Sequence, residues 1–187
     1  HEGILNAENY TLCSAGPALV YPYNRNSLRL DLYLSQYSAA MGVDLRLSLI
    51  RQIAEALKFA HGKGVIHRAL SPQSILVSEA EINRPRIKIL NWQAGRRVSS
   101  TTLANALAET LTVHPDQLME DSSLLYMSPE VLRYADATGE SADVFSLGAI
   151  AYHIFTGKPP ASSLMELRQK LSEQNGLDIS SVMDGSG

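Results

Sequence analysis

Residues 142–155 constrain this chain more than any other stretch. They hold Val144, Phe145, Leu147, Ile150, Ile154 and Phe155, and almost no charge on any face. A helix that is apolar all round belongs in an interior, so this one is expected at the centre of a core. Gly157 and Pro159-Pro160 end it. Ser163, with Glu166 three residues on, reads as a capping box that opens another helix. The chain has 187 residues, enough to wrap one sizeable core around such a helix.

The rest of the chain supplies weaker elements. Residues 18–21 read as a buried strand, ended by Pro22 and followed by a polar loop at 24–27. Leu30, Leu32 and Leu34 fall on a short helix. Asp44 reads as the N-cap of a longer one, in which Leu49, Ile50, Ile53, Leu57 and Ala60 recur at helical spacing. Arg51, Gln52, Glu55 and Lys58 take its other face, and Gly62 and Gly64 stop it. Residues 65–66, 75–77 and 86–89 read as short strands. The Ser-, Thr- and Asp-rich stretch from about 91 to 126 reads as an extended loop, with 98–122 expected to be less ordered than its flanks. Short hairpins do not make βαβ units, so the fold class is mainly α with small β elements.

Composition narrows the function. The chain is 45% hydrophobic and 19% charged, with a net charge of -3. That balance lacks the basic footprint of a nucleic-acid binder. No signal peptide opens the chain, and no run of about 18 apolar residues offers a membrane span. Cys13 is the single cysteine, so no internal disulfide can form, which fits a reducing cytoplasm. Cys13 is expected to be a small apolar filler in a strand. The first residue is His1 rather than Met, which suggests a piece of a longer polypeptide.

Five motifs then fall in one order. The run His67-Arg68-Ala69-Leu70-Ser71-Pro72-Gln73-Ser74 resembles the H-R-D-x-K-x-x-N catalytic loop of protein kinases. Asn91-Trp92-Gln93 lies where such kinases carry D-F-G. Tyr126-Met127-Ser128-Pro129-Glu130 resembles Y-x-A-P-E, and residues 141–148 resemble the start of the family's central helix. His1-Glu2-Gly3-Ile4-Leu5 resembles the H-P-N-I-L that opens a small-lobe strand. With the run around Gly16 to Val20, the chain is also similar to the large bacterial kinase-like proteins of phage-defence systems, of the phage growth limitation and BREX type.

The resemblance implies a protein-kinase-like fold. Residues 1–23 would end the small-lobe sheet and form the hinge. Residues 24–187 would be the helical C-terminal lobe with short β-hairpins, stopping before its last helices. It also implies lost chemistry. The position of the catalytic Asp holds Ala69, and that of the loop Lys holds Ser71. The two metal-ligand positions hold Ser74 and Asn91. Mg²⁺ prefers carboxylate oxygen, so ATP and Mg binding would both be weakened. The packing roles look kept. His67 and Trp92 would link the loops to the core, Arg68 remains, and Asp143 would cap the loop backbone. Leu76 with Ile150 and Ile154 would match the apolar column beneath adenine. Glu130 would pair with an Arg that comes later in the family. No matching Arg is evident in this chain.

The expected function is therefore a pseudokinase, a regulatory or scaffolding module that binds a protein partner or neighbouring domains of its own chain. The alternative is an atypical but active Ser/Thr protein kinase completed by residues outside this piece. A third possibility is a purely structural domain. Ser71 and Ser74 are more simply locally bonded hydroxyls than phosphosites. Asp116, Glu120 and Asp121 read as a solvated loop face, and His61, His114 and His153 as ordinary histidines.

Overall fold

From the N-terminus, β1 (Asn9–Cys13) and β2 (Gly16–Val20) pair antiparallel as a hairpin. The computed structural model describes residues 1–14, 16–22, 24–79, 84–92, 96–97, 121–133, 139–173 and 176–179. Next come β3 (Ser27–Arg29), α1 (Leu30–Tyr37), α2 (Val43–His61), β4 (Val65–Ile66), β5 (Ile75–Glu79), β6 (Pro85–Ile89) and β7 (Arg96–Arg97). The helices α3 (Pro129–Arg133), α4 (Ser141–Thr156) and α5 (Leu164–Glu173) follow. Strands β3, β5 and β6 form an antiparallel sheet in that order, and β4 pairs with β7. The segment before β1 joins β6, because Leu5 N donates to Ile89 O (2.8 Å) and Ile89 N to Gly3 O (2.9 Å).

The core forms where the apolar stripe of α2 meets α4 and the inner face of β5 and β6. Leu49, Ile53, Ala56 and Leu57 pack with Ile150, Ile154, Ile75, Val77, Ile87 and Ile89. Helix α1 adds Leu30, Tyr33 and Leu34, while Leu32 stays 46% exposed. Arg46 of α2 closes the far end of α4. Its guanidinium donates to the carbonyls of Ile154 and Phe155, and its Nε to Met41 O at 3.0 Å. Gly157 then leaves the helix at φ +67, with its amide on His153 O at 2.8 Å. A Cβ there would stand 3.0 Å from Ser38 Oγ, so glycine serves both the backbone and the close approach.

Several expectations are corrected. Helix α4 is not buried on every face: Val144 is 61% exposed, and the buried stripe is Ala142, Asp143, Ser146, Ala149, Ile150, His153 and Ile154. The interior side thus carries three polar groups, each with a partner, while an apolar residue faces out. Helix α2 starts at Val43 with Gly42 at the cap. Asp44 makes no cap bond and instead sets a carboxylate in the first turn, against the positive end of the helix.

Strand β2 is not buried either, since Leu19 is 49% and Val20 41% exposed. Cys13 is exposed, its thiol donating to Gly16 O at 3.1 Å. Around Ser163 the box is shifted by one residue. Ser163 Oγ accepts Glu166 N (3.2 Å), but the Glu166 carboxylate turns to Ser162 N (2.8 Å) and to Lys170 Nζ (2.8 Å). Those partners hold the Glu166 carboxyl down at about 2, Lys170 first and Ser162 next. The expected order of 98–122 lies outside the described residues up to position 120. Asp121–Tyr126 is a 3₁₀ turn with Leu125 and Tyr126 buried, not open loop.

Candidate functional site

Everything at the site hangs on the segment between β4 and β5, and Asp143 holds it. The Asp143 carboxylate has no exposed surface. Its Oδ2 accepts the His67 amide at 2.8 Å, and its Oδ1 the Arg68 amide at 2.7 Å. His61, at the end of α2, donates its Nε2–H to Oδ2 at 2.8 Å, and its Nδ1 lies 3.7 Å from Glu140 Oε2. Arg68 itself sits at φ +69, a left-handed backbone that costs a branched or long side chain about 1–2 kcal/mol. The two consecutive amides held by Asp143 offset that cost.

The His67 ring is fully buried and donates Nε2–H to Leu90 O at 2.9 Å. A carbonyl can only accept, so the tautomer is fixed. Its Nδ1 has no hydrogen-bond partner among the described residues. Burial pushes the His67 pKa down, against the opposing pull of Leu90 O and the Asp143 charge. The Trp92 ring stands 4.6 Å from the His67 ring and donates to Ile89 O at 3.3 Å. Leu90 N donates to Ser74 O at 2.9 Å, so the two loops share one backbone seam. Asn91 follows at φ +63, exposed; Asn tolerates this conformation better than most residues.

At the positions that would carry chemistry, the side chains are turned to local bonding. Ala69 is buried and presents only a methyl group. Ser74 Oγ donates to Ser71 O (2.8 Å) and accepts Ser71 N (3.0 Å), a capping box around the 3₁₀ turn Pro72–Ser74. Ser71 Oγ donates to Ser123 Oγ at 3.4 Å, and Gln73 Nε2 donates to Ser122 Oγ at 3.0 Å. Among the described residues, no group of three or more His, Cys, Asp or Glu is placed to hold a metal ion. No helix among them is long and apolar enough to cross a membrane.

Leu76 and Glu130 stand apart from this cluster. Leu76 is half-buried on β5, and its neighbours Ile75 and Val77 point to the opposite face, where Ile150 and Ile154 pack. Glu130 is half-buried in the first turn of α3 and has no ion-pair partner among the described residues. The sequence reading takes His61 and His153 as ordinary histidines, sees Tyr126 only as the start of a motif, and gives Ser122 and Ser123 no role. The Tyr126 hydroxyl lies 2.7 Å from His153 Nδ1 in the interior. Burial pushes the Tyr126 pKa up and lowers that of His153 to about 4, with the Asp31 charge raising both. His61 meets Asp143 across 82 positions, a separation that leaves no local signal.

The kinase class that this geometry defines is matched directly. The protein kinase domain family matches residues 10–183. The probable kinase PglW of Streptomyces coelicolor is 32% identical over 202 residues, covering 99% of this chain and 13% of that protein. The human serine/threonine-protein kinase ULK1 is 35% identical over 175 residues, covering 90% of this chain and 15% of its own. The probable serine/threonine-protein kinase PknB of Lactococcus lactis is 30% identical over 135 residues, 72% of this chain and 19% of that one. This chain belongs to the protein kinase family. It spans less than a fifth of the length of these three relatives.

Proposed function

We propose that this is a pseudokinase domain, a regulatory or scaffolding module of a larger bacterial protein that engages a protein partner or neighbouring domains of its own chain. The observation that carries this reading is Ser74. Its hydroxyl both donates and accepts within its own turn, at the position where the family holds a metal. Ala69 offers nothing to accept a substrate proton, and Asn91 brings a neutral amide in place of a carboxylate. In this reading residues 1–23 end a small-lobe sheet and lead through the hinge, and 24–187 form the helical lobe. Leu76 would face the nucleotide, with ATP and Mg binding weakened. Cytoplasmic placement fits the single Cys13, and a role in phage defence fits the resemblance to kinase-like proteins of such systems.

The second reading is an active, atypical Ser/Thr kinase, favoured by the names of PglW, ULK1 and PknB as kinases. Radiolabelled ATP decides between them. The first reading expects no metal-dependent transfer above background. General-base groups are worth about 10²–10⁴ in rate, and groups that act as a unit do not add. Ala69→Asp alone should therefore restore little. Ala69→Asp with Ser71→Lys, Ser74→Asn and Asn91→Asp is the set that could restore turnover. Robust transfer by the unmodified domain would overturn the pseudokinase reading.

A further inference from the structure

Trp92 is held from three directions. Its ring stands 4.6 Å from the ring of His67, which is itself oriented by the bond from its Nε2–H to Leu90 O. The indole also packs against the main core. Its Nε1–H reaches back to Ile89 O at 3.3 Å. That carbonyl already accepts Leu5 N at 2.8 Å, and an oxygen with two lone pairs can take both. One atom of β6 thus joins the segment before β1 to the indole. Phenylalanine, which the family carries at this position in D-F-G, has no N–H to offer there. The chain around the ring is tied at both ends to the same loop. On one side Leu90 N donates to Ser74 O at 2.9 Å. On the other, Arg96–Arg97 pairs with Val65–Ile66, the two residues directly before His67. Between these ties Asn91 is exposed and sits at φ +63, a place where the backbone can pivot without moving a buried side chain.

We propose that Trp92 is a lock: its N–H bond to Ile89 O holds the segment after β6 in one arrangement, so that the site does not alternate between a ring-in and a ring-out form. A ring that packs by area alone tolerates sliding, whereas a directed N–H bond selects one orientation. A pivot at Asn91 would have to break that bond, the contact with His67 and the contact with the core together. Burial lowers the His67 pKa, which keeps its imidazole neutral and its single N–H on Leu90 O, so the ring that Trp92 meets stays in place. This lock goes beyond the pseudokinase reading and does not rest on it. A segment with one conformation gives a partner one surface to meet, whatever the state of the nucleotide cleft.

Trp92 is the only tryptophan in the sequence, so its indole N–H gives one magnetic resonance signal of known origin. In the isotope-labelled chain that signal should be single, should exchange slowly with D₂O, and should stay single when ATP and Mg²⁺ are added. Relaxation dispersion reads microsecond-to-millisecond switching and should be flat for the amides of residues 90, 92, 96 and 97. Two changes remove the bond. Trp92→Phe keeps a ring against His67. Replacing tryptophan by 3-benzothienylalanine, which a tryptophan-requiring host incorporates at this one position, puts sulfur in place of the ring N–H and keeps size and shape. In both, the population of a second form should rise about five- to tenfold, the usual effect of one hydrogen bond. Dispersion should then appear at the four amides while α4 stays flat. Two indole signals or dispersion in the wild type would overturn the proposal. So would a sulfur-substituted chain as rigid as the wild type, which would make ring packing the only restraint. Phosphate transfer measured on the same proteins is a separate result: its detection would end the pseudokinase reading and leave the lock standing.

Discussion

At Asp143 one carboxylate takes two consecutive backbone amides and an imidazole N–H. Replacing it by Ala strands buried donors beside a left-handed Arg68. Unsatisfied buried groups cost about 1–3 kcal/mol each. For a chain of this size each kcal/mol moves the melting point by about 2–4 °C. Asp143→Ala should therefore lower it on the order of 10 °C. Asp143→Asn, which keeps one acceptor oxygen, should lower it less. Equal melting of the Asp143→Ala variant and the wild type would show that the loop does not lean on this group. The buried histidines make a second case. Burial lowers the pKa of both His67 and His153, the latter to about 4 from 6.5. Below pH 6.5 the unfolded chain binds protons that the folded chain refuses, so stability falls as pH drops from about 6.5 towards 4. Urea midpoints measured between pH 7 and 4.5 should decline, and His153→Gln should flatten part of that slope. Glu166 acts in a different window. Its folded pKa is about 2, so its contribution fades only as pH falls from 4.5 towards that value. A flat wild-type profile from pH 7 to 4.5 would contradict the histidine account.

Among the elements, the hairpin β1–β2 and helix α4 lie at opposite ends of stability. Every residue of β1 is exposed, with Tyr10 at 79% and Leu12 at 80%. The register sets Tyr10 across from Leu19, one of the few cross-strand apolar pairs the hairpin has to offer. Among the described residues this sheet has two strands and no third layer, and a hairpin by itself is marginal in water, so the prediction is made for this stretch of chain alone. Amide hydrogen exchange in β1 and β2 should thus run orders of magnitude faster than in α4, whose inner stripe is buried and whose end is held by Arg46 and Gly157. Protection in the hairpin equal to that of α4 would mean that another surface covers Tyr10 and Leu12.

For the whole molecule, local pattern carried far. The recurrence of Leu49, Ile53 and Leu57 gave α2, the alternation of Ile87 and Ile89 gave β6, and Gly157 marked the end of α4, because propensity and periodicity act within a turn or two. The ordered motifs from His67 to Gly148 pointed to the kinase family, since each motif is a short contiguous run that one sequence displays by itself. What stayed hidden depends on which surfaces meet. The apolar look of residues 142–155 said that the helix has a core side but not which one, and packing turned Asp143 and His153 inward and Val144 outward. Burial of β2 could not be judged from Leu19 and Val20, because exposure depends on what lies across the sheet. The seam of Ser71 with Ser123 and the bond of His61 to Asp143 join residues 52 and 82 positions apart. Sequence alone determined the family, most element positions and which residues stand in the kinase-like motifs. Tertiary structure alone decided how those residues are hydrogen-bonded and which side of each described helix and strand is buried, because long-range polar contacts obey geometry in space and leave no period along the chain.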